Sequence, residues 1–98
     1  MTKFPKRITL DITAKDIRLG KPEDCRRCAA ALAAKRLRLA PVVAVRGDGV
    51  LFSRIRLGTV AVYAMSNQLE KFTRRFDEGR PVKPLRIVLT KAWDADDE

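Results

Sequence analysis

Large aliphatic residues occupy every second position in two segments near opposite ends of the chain. These segments are residues 8–12 and residues 85–89. A period of two is typical of a β-strand that buries one face and exposes the other. The sequence therefore predicts a first and a last strand, each with its aliphatic side chains against a core.

A strong hairpin signal, Gly47-Asp48-Gly49, lies between these two segments. A valine-rich apolar run over residues 42–45, typical of a buried strand, precedes it, and an alternating segment over 51–57 follows it. Residues 59–63 can continue that returning strand beyond a bend at Gly58 or form a strand of their own. The sequence thus predicts a central hairpin and leaves open an extra strand near residues 59–65.

Three segments carry the capping and termination signals of helices. The first is a short helix over residues 14–19, capped by Thr13 and ended by Gly20 in a left-handed conformation. The second is a longer helix over residues 22–36. The third begins at residue 66 or 67 and stops at Gly79.

The order of strand, helix, hairpin, helix and strand predicts an α+β fold of the ferredoxin-like βαββαβ type. We expect an antiparallel sheet with two helices packed on one face. A chain of 98 residues fits a single domain, here residues 1–93, followed by an acidic C-terminal tail over 94–98. Odd positions of the last strand should face the helices, so Arg86, together with Arg54 and Arg56, should make the opposite face cationic.

The composition argues for a folded domain and against most catalytic chemistry. Hydrophobic residues make up 46% of the chain, which argues against intrinsic disorder, and histidine is absent. Without histidine the chain cannot build a Ser-His-Asp triad or a His-based zinc site. The glycines of the hairpin signal lack the lysine of a phosphate loop. We therefore expect no enzyme activity, no catalytic residue, no metal site and no cofactor.

The two cysteines are spaced as Cys25-x-x-Cys28, which admits three interpretations. The predicted wheel of the 22–36 helix places both on its apolar stripe, where they would be structural thiols. A redox pair at a helix start is the second interpretation, with thiolates stabilised by neighbouring arginines. A zinc site is the third, but it would need two further ligands. We favour structural thiols, because nothing but the spacing supports redox chemistry.

Positive charge is the strongest functional signal in the chain. There are 21 Lys and Arg residues against 12 Asp and Glu, a net charge of +9, and without the acidic tail the 21 bases face 8 acids, which leaves +13. Such a charge attracts polyanions, of which nucleic acid is the commonest in a cell. The predicted nucleic-acid-binding residues are Arg26, Arg27, Lys35, Arg38, Arg54, Arg56, Lys71, Arg74, Arg75 and Arg86. The competing interpretation is a solvated basic surface.

Two common nucleic-acid modules are disfavoured by the sequence. An RNA-recognition-type domain needs two or three aromatic residues on the sheet face, and Phe52 is the only one in the predicted hairpin strands. Two helices separated by a hairpin cannot form a helix-turn-helix.

The sequence also carries no sign of export or membrane insertion. Only three residues separate the basic N-terminal segment from Asp11, too few for a secretory signal. The longest uncharged stretch, residues 57–69, is shorter than the roughly 20 residues needed to span a bilayer. We expect a cytoplasmic protein without membrane contact.

Four segments of the chain carry a family resemblance: residues 8–12, 16–20 and 28–32, and most specifically residues 76–85 with the sequence FDEGRPVKPL. In these segments the chain resembles a group of short, uncharacterised proteins encoded by bacteriophages of high-GC bacterial hosts. The resemblance implies action inside an infected bacterium, by binding either nucleic acid or a host protein. A host-protein partner would use an exposed sheet edge or an apolar rim around Phe52, Tyr63 and Trp93. An exposed strand edge would also allow a homodimer.

Overall fold

The computed structural model describes residues 4–95, which form a five-stranded sheet packed against three helices. Each pair of neighbouring strands is antiparallel, and the order across the sheet is β1-β5-β4-β3-β2. The elements in chain order are β1 (Arg7–Ile12), α1 (Ala14–Leu19), α2 (Ala29–Lys35), β2 (Val42–Arg46), β3 (Gly49–Arg54), β4 (Gly58–Ala64), α3 (Asn67–Asp77) and β5 (Leu85–Asp94).

The two segments with a period of two pair with each other as β1 and β5. Ile8 lies opposite Leu89 and Leu10 lies opposite Ile87, and all four side chains are buried. Arg86 is exposed. Both predicted strands and the direction of their apolar faces are therefore confirmed.

The predicted central hairpin is confirmed as β2 and β3, joined by Gly47 and Asp48, with Arg46 opposite Gly49. Gly49 has φ of 139°, and a Cβ there would lie 1.9 Å from the carbonyl oxygen of Tyr63. Only glycine fits this position, because the backbone of β4 passes where a side chain would be. Residues 58–64 form β4 as a strand of its own, which decides between the two alternatives that the sequence allowed.

The first short helix forms as predicted, with Thr13 as its N-cap. Thr13 Oγ1 accepts a hydrogen bond from Asp16 N at 3.2 Å, and Asp16 Oδ2 accepts one from Thr13 N at 2.9 Å. These reciprocal bonds are a capping box with Asp in the third position. Gly20, however, has φ of −68°, so the predicted left-handed conformation is wrong. Glycine is needed at this position for another reason: the backbone of Ala29 passes so close that a Cβ on residue 20 would lie 2.6 Å from Ala29 N.

The predicted long helix over residues 22–36 is much shorter and begins only at Ala29. Glu23 has φ of 63°, outside the helical region. The carbonyl oxygen of Cys25 accepts a hydrogen bond from Val45 N of β2 at 2.8 Å, so it cannot serve a helix. Residues 21–28 therefore form turns that run beside the edge of the sheet, and Cys28 becomes the N-cap of α2.

The last helix, α3, has Ser66 as its N-cap, and Ser66 Oγ accepts a hydrogen bond from Leu69 N at 3.1 Å. Its predicted end at Gly79 is confirmed. Gly79 has φ of 75°, and the backbone N–H of Arg80 donates to Arg75 O at 2.9 Å, which satisfies a carbonyl of the last turn. The buried residues of α3 are Leu69, Phe72 and Phe76.

The α+β class and the antiparallel sheet are confirmed, but the ferredoxin-like βαββαβ order is not. Three strands rather than two lie between α2 and α3, and three helices rather than two are present among residues 4–95. Because β4 lies between β3 and β5, the first strand pairs only with β5 and forms an edge of the sheet.

Asp94 belongs to β5 and is buried, so the acidic tail predicted from residue 94 does not include it. Residues 96–98 of that tail lie outside the described residues. Asp94 forms an ion pair with Lys91, whose Nζ also donates to Phe4 O at 3.2 Å. Beside this pair, the hydroxyl of buried Tyr63 donates to Pro5 O at 2.5 Å. Burial raises the pKa of Tyr63, with a smaller lowering by Lys91.

A second polar network holds α1, α2 and β1 together around the buried carboxylate of Asp16. The guanidinium of Arg36 binds both oxygens of this carboxylate, with 2.6 Å from Nη2 to Oδ2, and Nη2 also donates to Asp11 O at 2.7 Å. Burial raises the pKa of Asp16, but the hydrogen bonds from Arg36 and Thr13 outweigh it, and the pKa lies below its ordinary value.

We expect D16N to reduce the free energy of unfolding by about 2–3 kcal/mol at pH 7, because it removes a charge-assisted hydrogen bond and half of the capping box. A carboxyl with a lowered pKa stabilises the fold above its unfolded pKa and loses that effect as the pH falls. The difference between wild type and variant should therefore shrink as the pH falls below the ordinary value of 3.8. Urea unfolding at a series of pH values measures it. E78Q, at an exposed carboxylate, is the control and should change stability little.

The hairpin offers a matched pair of glycine substitutions. G49A should cost roughly 3 kcal/mol or more, because its Cβ would meet the backbone of β4 and its φ is unfavourable for alanine. G47A should change stability by only about 0.5 kcal/mol, since no atom lies within 4 Å of the Cβ position. Thermal unfolding of both variants compares them, and equal destabilisation would contradict this assignment of the turn.

Candidate nucleic-acid interface

One face of the sheet carries no helix over strands β2 to β5, and we call it the open face. Three cross-strand pairs place one row of side chains on it: Ala44 opposite Leu51, Leu51 opposite Val62, and Val62 opposite Trp93. Leu51 and Val62 are half-buried, and Trp93 is 47% exposed. The opposite face of the same strands carries the fully buried Phe52 and Tyr63.

A groove on the open face gathers three arginines, and we call it the arginine groove. Its cavity volume is about 420 Å³. Arg26, Arg46 and Arg54 line it, with Leu51 and Ala44 among its apolar residues, and it has no acidic residue in its lining. The remaining lining residues are Val42, Ser53, Ile55, Gly58 and Thr59.

Three separate elements bring these arginines together. Arg26 lies in the turn before α2, which is held beside β2 by the hydrogen bond from Val45 N to Cys25 O. Arg46 is the last residue of β2, and Arg54 is the last residue of β3. The hydroxyls of Ser53 and Thr59, which lie on paired positions of β3 and β4, are 3.4 Å apart in the groove.

The arginines of the groove form no ion pair within the described part of the chain. Four ion pairs form between residues 4 and 95, and they involve Arg36, Arg74, Arg80 and Lys91 as the cations. Arg26, Arg46 and Arg54 belong to none of them. Three like charges around one concave surface favour an anion there, because a bound anion relieves their mutual repulsion.

The structure brings only two of the ten predicted binding residues into this groove, Arg26 and Arg54. Arg46 joins them and was missed by the sequence analysis. The sequence feature that could have identified Arg46 is its position at the end of a buried strand, directly before the hairpin turn. Such a position places a side chain beside the first residues of the returning strand, but the sequence could not show which segment covers the edge of β2.

The other predicted binding residues are spread over the molecule. Arg86 lies opposite Asp11 at the far end of the open face, and Arg38 is exposed with φ of 53°. Arg27, Lys35 and Arg56 are exposed, and they do not line the arginine groove. The helix predicted over residues 22–36 would have carried Arg26, Arg27 and Lys35 together, but Arg26 and Arg27 precede α2.

The three predicted binding residues on α3, Lys71, Arg74 and Arg75, are divided between two sides of the helix. Lys71 and Arg75, with Lys83 from the segment before β5, line an apolar groove of about 510 Å³, which we call the α3 groove. Phe72 and Val82 lie in its lining. Arg74 lies on the other side of α3, where it forms an ion pair with Glu70 at 3.1 Å.

Both cysteines line an acidic cleft of about 470 Å³ between the 23–28 turns and α3. Cys28 Sγ accepts a hydrogen bond from Ala31 N at 3.4 Å, and burial raises the pKa of this thiol. The cysteines are not bonded to each other. Five acidic residues share the cleft: Glu23, Asp24, Glu70, Asp77 and Glu78.

The cleft does not favour redox or metal chemistry. A raised pKa reduces the thiolate that redox chemistry needs, so the structure favours the structural interpretation of Cys28. It caps α2, however, and does not lie on a helix stripe as predicted. Within residues 4–95, no group of three Cys, Asp or Glu residues is arranged to hold a metal ion.

The apolar rim predicted for a host-protein partner does not exist as a surface. Phe52 and Tyr63 are fully buried, and of the three predicted residues only Trp93 is exposed. Edge strand β2 is also partly occupied, because its Val45 N–H bonds to the neighbouring turn. None of the helices between residues 4 and 95 is long and apolar enough to cross a membrane.

Comparison with known proteins returns no relative. No family model, no curated protein and no solved structure matches the chain.

The two thiols should differ in reactivity towards iodoacetamide at pH 7.5. Cys25 is half-exposed and should be alkylated in the native state, whereas Cys28 should react only on unfolding, because it is buried and its pKa is raised. Peptide mass spectrometry after timed alkylation, with and without urea, measures both sites. Rapid native alkylation of Cys28 at pH 6 would instead indicate a redox thiol.

Proposed function

We propose that this protein binds nucleic acid through the arginine groove and acts by binding rather than by catalysis. The observation that carries the proposal is a groove with three arginines, two hydroxyls and no acidic residue in its lining. Five acidic residues of the same chain lie together in another cleft, and Arg46 contributes to the lining of both. Positive charge is thus available to a ligand at the groove, whereas elsewhere ion pairs within the protein use part of it.

The chemistry of the groove suits a phosphate backbone. Arginine presents a planar set of N–H donors that can bind two oxygens of one phosphate at once. Ser53 and Thr59 add hydroxyl donors of the kind that commonly contact phosphates. Such contacts carry no base information, so we propose that the groove contributes affinity and position rather than sequence specificity.

The setting that we propose is the cytoplasm of an infected bacterium. It rests on the resemblance of the sequence to short bacteriophage proteins. Single strands and duplexes of both DNA and RNA present the phosphates that the groove would bind.

A protein partner is the second candidate, and the α3 groove favours it. Lys71, Arg75 and Lys83 surround an apolar floor, a combination that suits an acidic peptide with one inserted apolar side chain. This function would depend on the α3 groove and would be independent of the arginine groove.

The triple variant R26Q/R46Q/R54Q should weaken binding of a labelled oligonucleotide by at least about tenfold at 50 mM salt. Loss of three phosphate contacts should also reduce the slope of log affinity against log salt by roughly 2 for a single strand. Fluorescence anisotropy over a salt series measures both quantities.

The matched control is K71Q/R75Q/K83Q, which removes the same net charge from the α3 groove. It should retain most of the oligonucleotide affinity, and it is the variant expected to lose an acidic protein partner. Equal loss of affinity in both triple variants would show that net charge alone drives binding and would contradict the assignment to the arginine groove. Absence of binding by the wild-type protein at about 50 mM salt would contradict the proposed function altogether.

A further inference from the structure

Trp93 is the single tryptophan of the chain, and nearly half of its surface is open to solvent. It lies on the open face, directly opposite Val62 of β4. Val62 lies opposite Leu51 of β3, and Leu51 lines the arginine groove. One continuous apolar row therefore leads from the groove to an exposed aromatic ring.

A β-bulge accounts for this orientation of Trp93. Val62 pairs with Trp93 and Tyr63 pairs with Lys91, so Ala92 has no partner on β4. Without the extra residue, Trp93 would continue the odd-numbered positions of β5, whose Ile87 and Leu89 are buried. The bulge turns the indole to the open face instead, and bulges commonly redirect a side chain in this way at functional sites.

The distance from the groove to the indole suits one short ligand. Leu51 and Trp93 are two strands apart, which corresponds to about 10 Å because neighbouring strands lie about 4.8 Å apart. A ligand bound at the arginines can therefore reach the indole, provided that it carries a flat group that stacks on an aromatic ring. A nucleic acid single strand carries both groups, with phosphates along the backbone and unstacked bases beside it.

We infer that the open face binds single-stranded nucleic acid, with phosphates at the arginine groove and a base stacked on Trp93. The inference rests on the proposed function and names the class of nucleic acid that the same surface takes. In a duplex the bases are stacked on each other and present only their edges, so Trp93 would find no free base face.

One aromatic residue gives sequence-tolerant binding rather than sequence readout. Every base can stack on an indole, so a single tryptophan does not distinguish one base from another. Sequence recognition by an RNA-recognition-type sheet would need two or three aromatic residues on the sheet face. The open face, with its one aromatic residue, therefore agrees with the expectation that the chain is not an RNA-recognition-type domain. Phe52, the one aromatic residue considered there, is buried on the helix-covered side.

The experiment titrates the full-length protein with oligo(dT) and with a duplex of the same length at about 50 mM salt. Indole emission reports on Trp93 alone, and anisotropy of a labelled oligonucleotide reports total binding. We expect oligo(dT) to quench the emission in parallel with the anisotropy change. W93A should weaken oligo(dT) binding roughly 5- to 150-fold, leave duplex binding within about twofold, and keep the salt slope unchanged, because no charge is removed.

The matched control is V88A, which truncates another exposed apolar side chain of β5, on the part that pairs with β1. It should bind oligo(dT) like the wild type, and W93F should retain part of the affinity that W93A loses. Circular dichroism verifies that each variant is folded.

The outcomes separate this inference from the proposed function. Salt-dependent binding that requires Arg26, Arg46 and Arg54 but leaves the indole emission and the W93A affinity unchanged would overturn the inference alone. Absence of any binding would overturn both. A concentration-dependent emission change, with a dimer in sedimentation and no response to oligo(dT), would show that the open face binds a second copy, which also overturns the inference.

Discussion

The double pairing of β5 is the constraint on which the rest of the structure depends. Its first six residues pair with β1, and Lys91, Trp93 and Asp94 pair with β4. Without this ten-residue strand, β1 would have no neighbour in the sheet, and the β2-β3-β4 meander would be a separate unit. β5 therefore joins the two ends of the chain into one sheet, and its bulge at Ala92 determines which side chains face the core and which face solvent.

The bulge also explains the buried polar cluster at this end of the sheet. The same extra residue that turns Trp93 outward turns Asp94 inward, opposite buried Ala61. A carboxylate at such a position needs a cationic partner, because an unpaired buried charge is very unfavourable. Lys91 supplies the ion pair, and Lys91 Nζ also bonds to the N-terminal segment at Phe4. The buried carboxylate is thus paired at the position where the bulge interrupts the alternation of β5.

The distribution of charge matters more for function than its total. A net charge of +9 attracts polyanions anywhere on a surface, but some of the bases form ion pairs within the protein. Arg36 holds Asp16, Arg74 holds Glu70, and Arg80 holds Glu78. The acids cluster in the cleft beside α3, which Arg46 also lines, and the groove shared by Arg26, Arg46 and Arg54 has no carboxylate in its lining. Three arginines are thereby grouped in one groove within a generally basic chain.

The sequence by itself determined the features that depend on near neighbours in the chain. The period of two predicted β1 and β5, the glycine pair around Asp48 predicted the hairpin, and Thr13 predicted the start of α1, because each depends on local backbone geometry and local burial. The class of the fold followed from the order of these elements.

Contacts between distant segments decided the rest. The helix predicted from residue 22 is replaced by turns as far as Cys28, because Val45 N takes the carbonyl of Cys25. That contact also places Arg26 beside Arg46 and Arg54. Trp93 was expected in one apolar rim with Phe52 and Tyr63, but the pairing of β5 with β4 holds it on the open face while the other two are buried. Neither position could be obtained from periodicity, since hydrogen bonds between segments far apart in sequence override the local pattern.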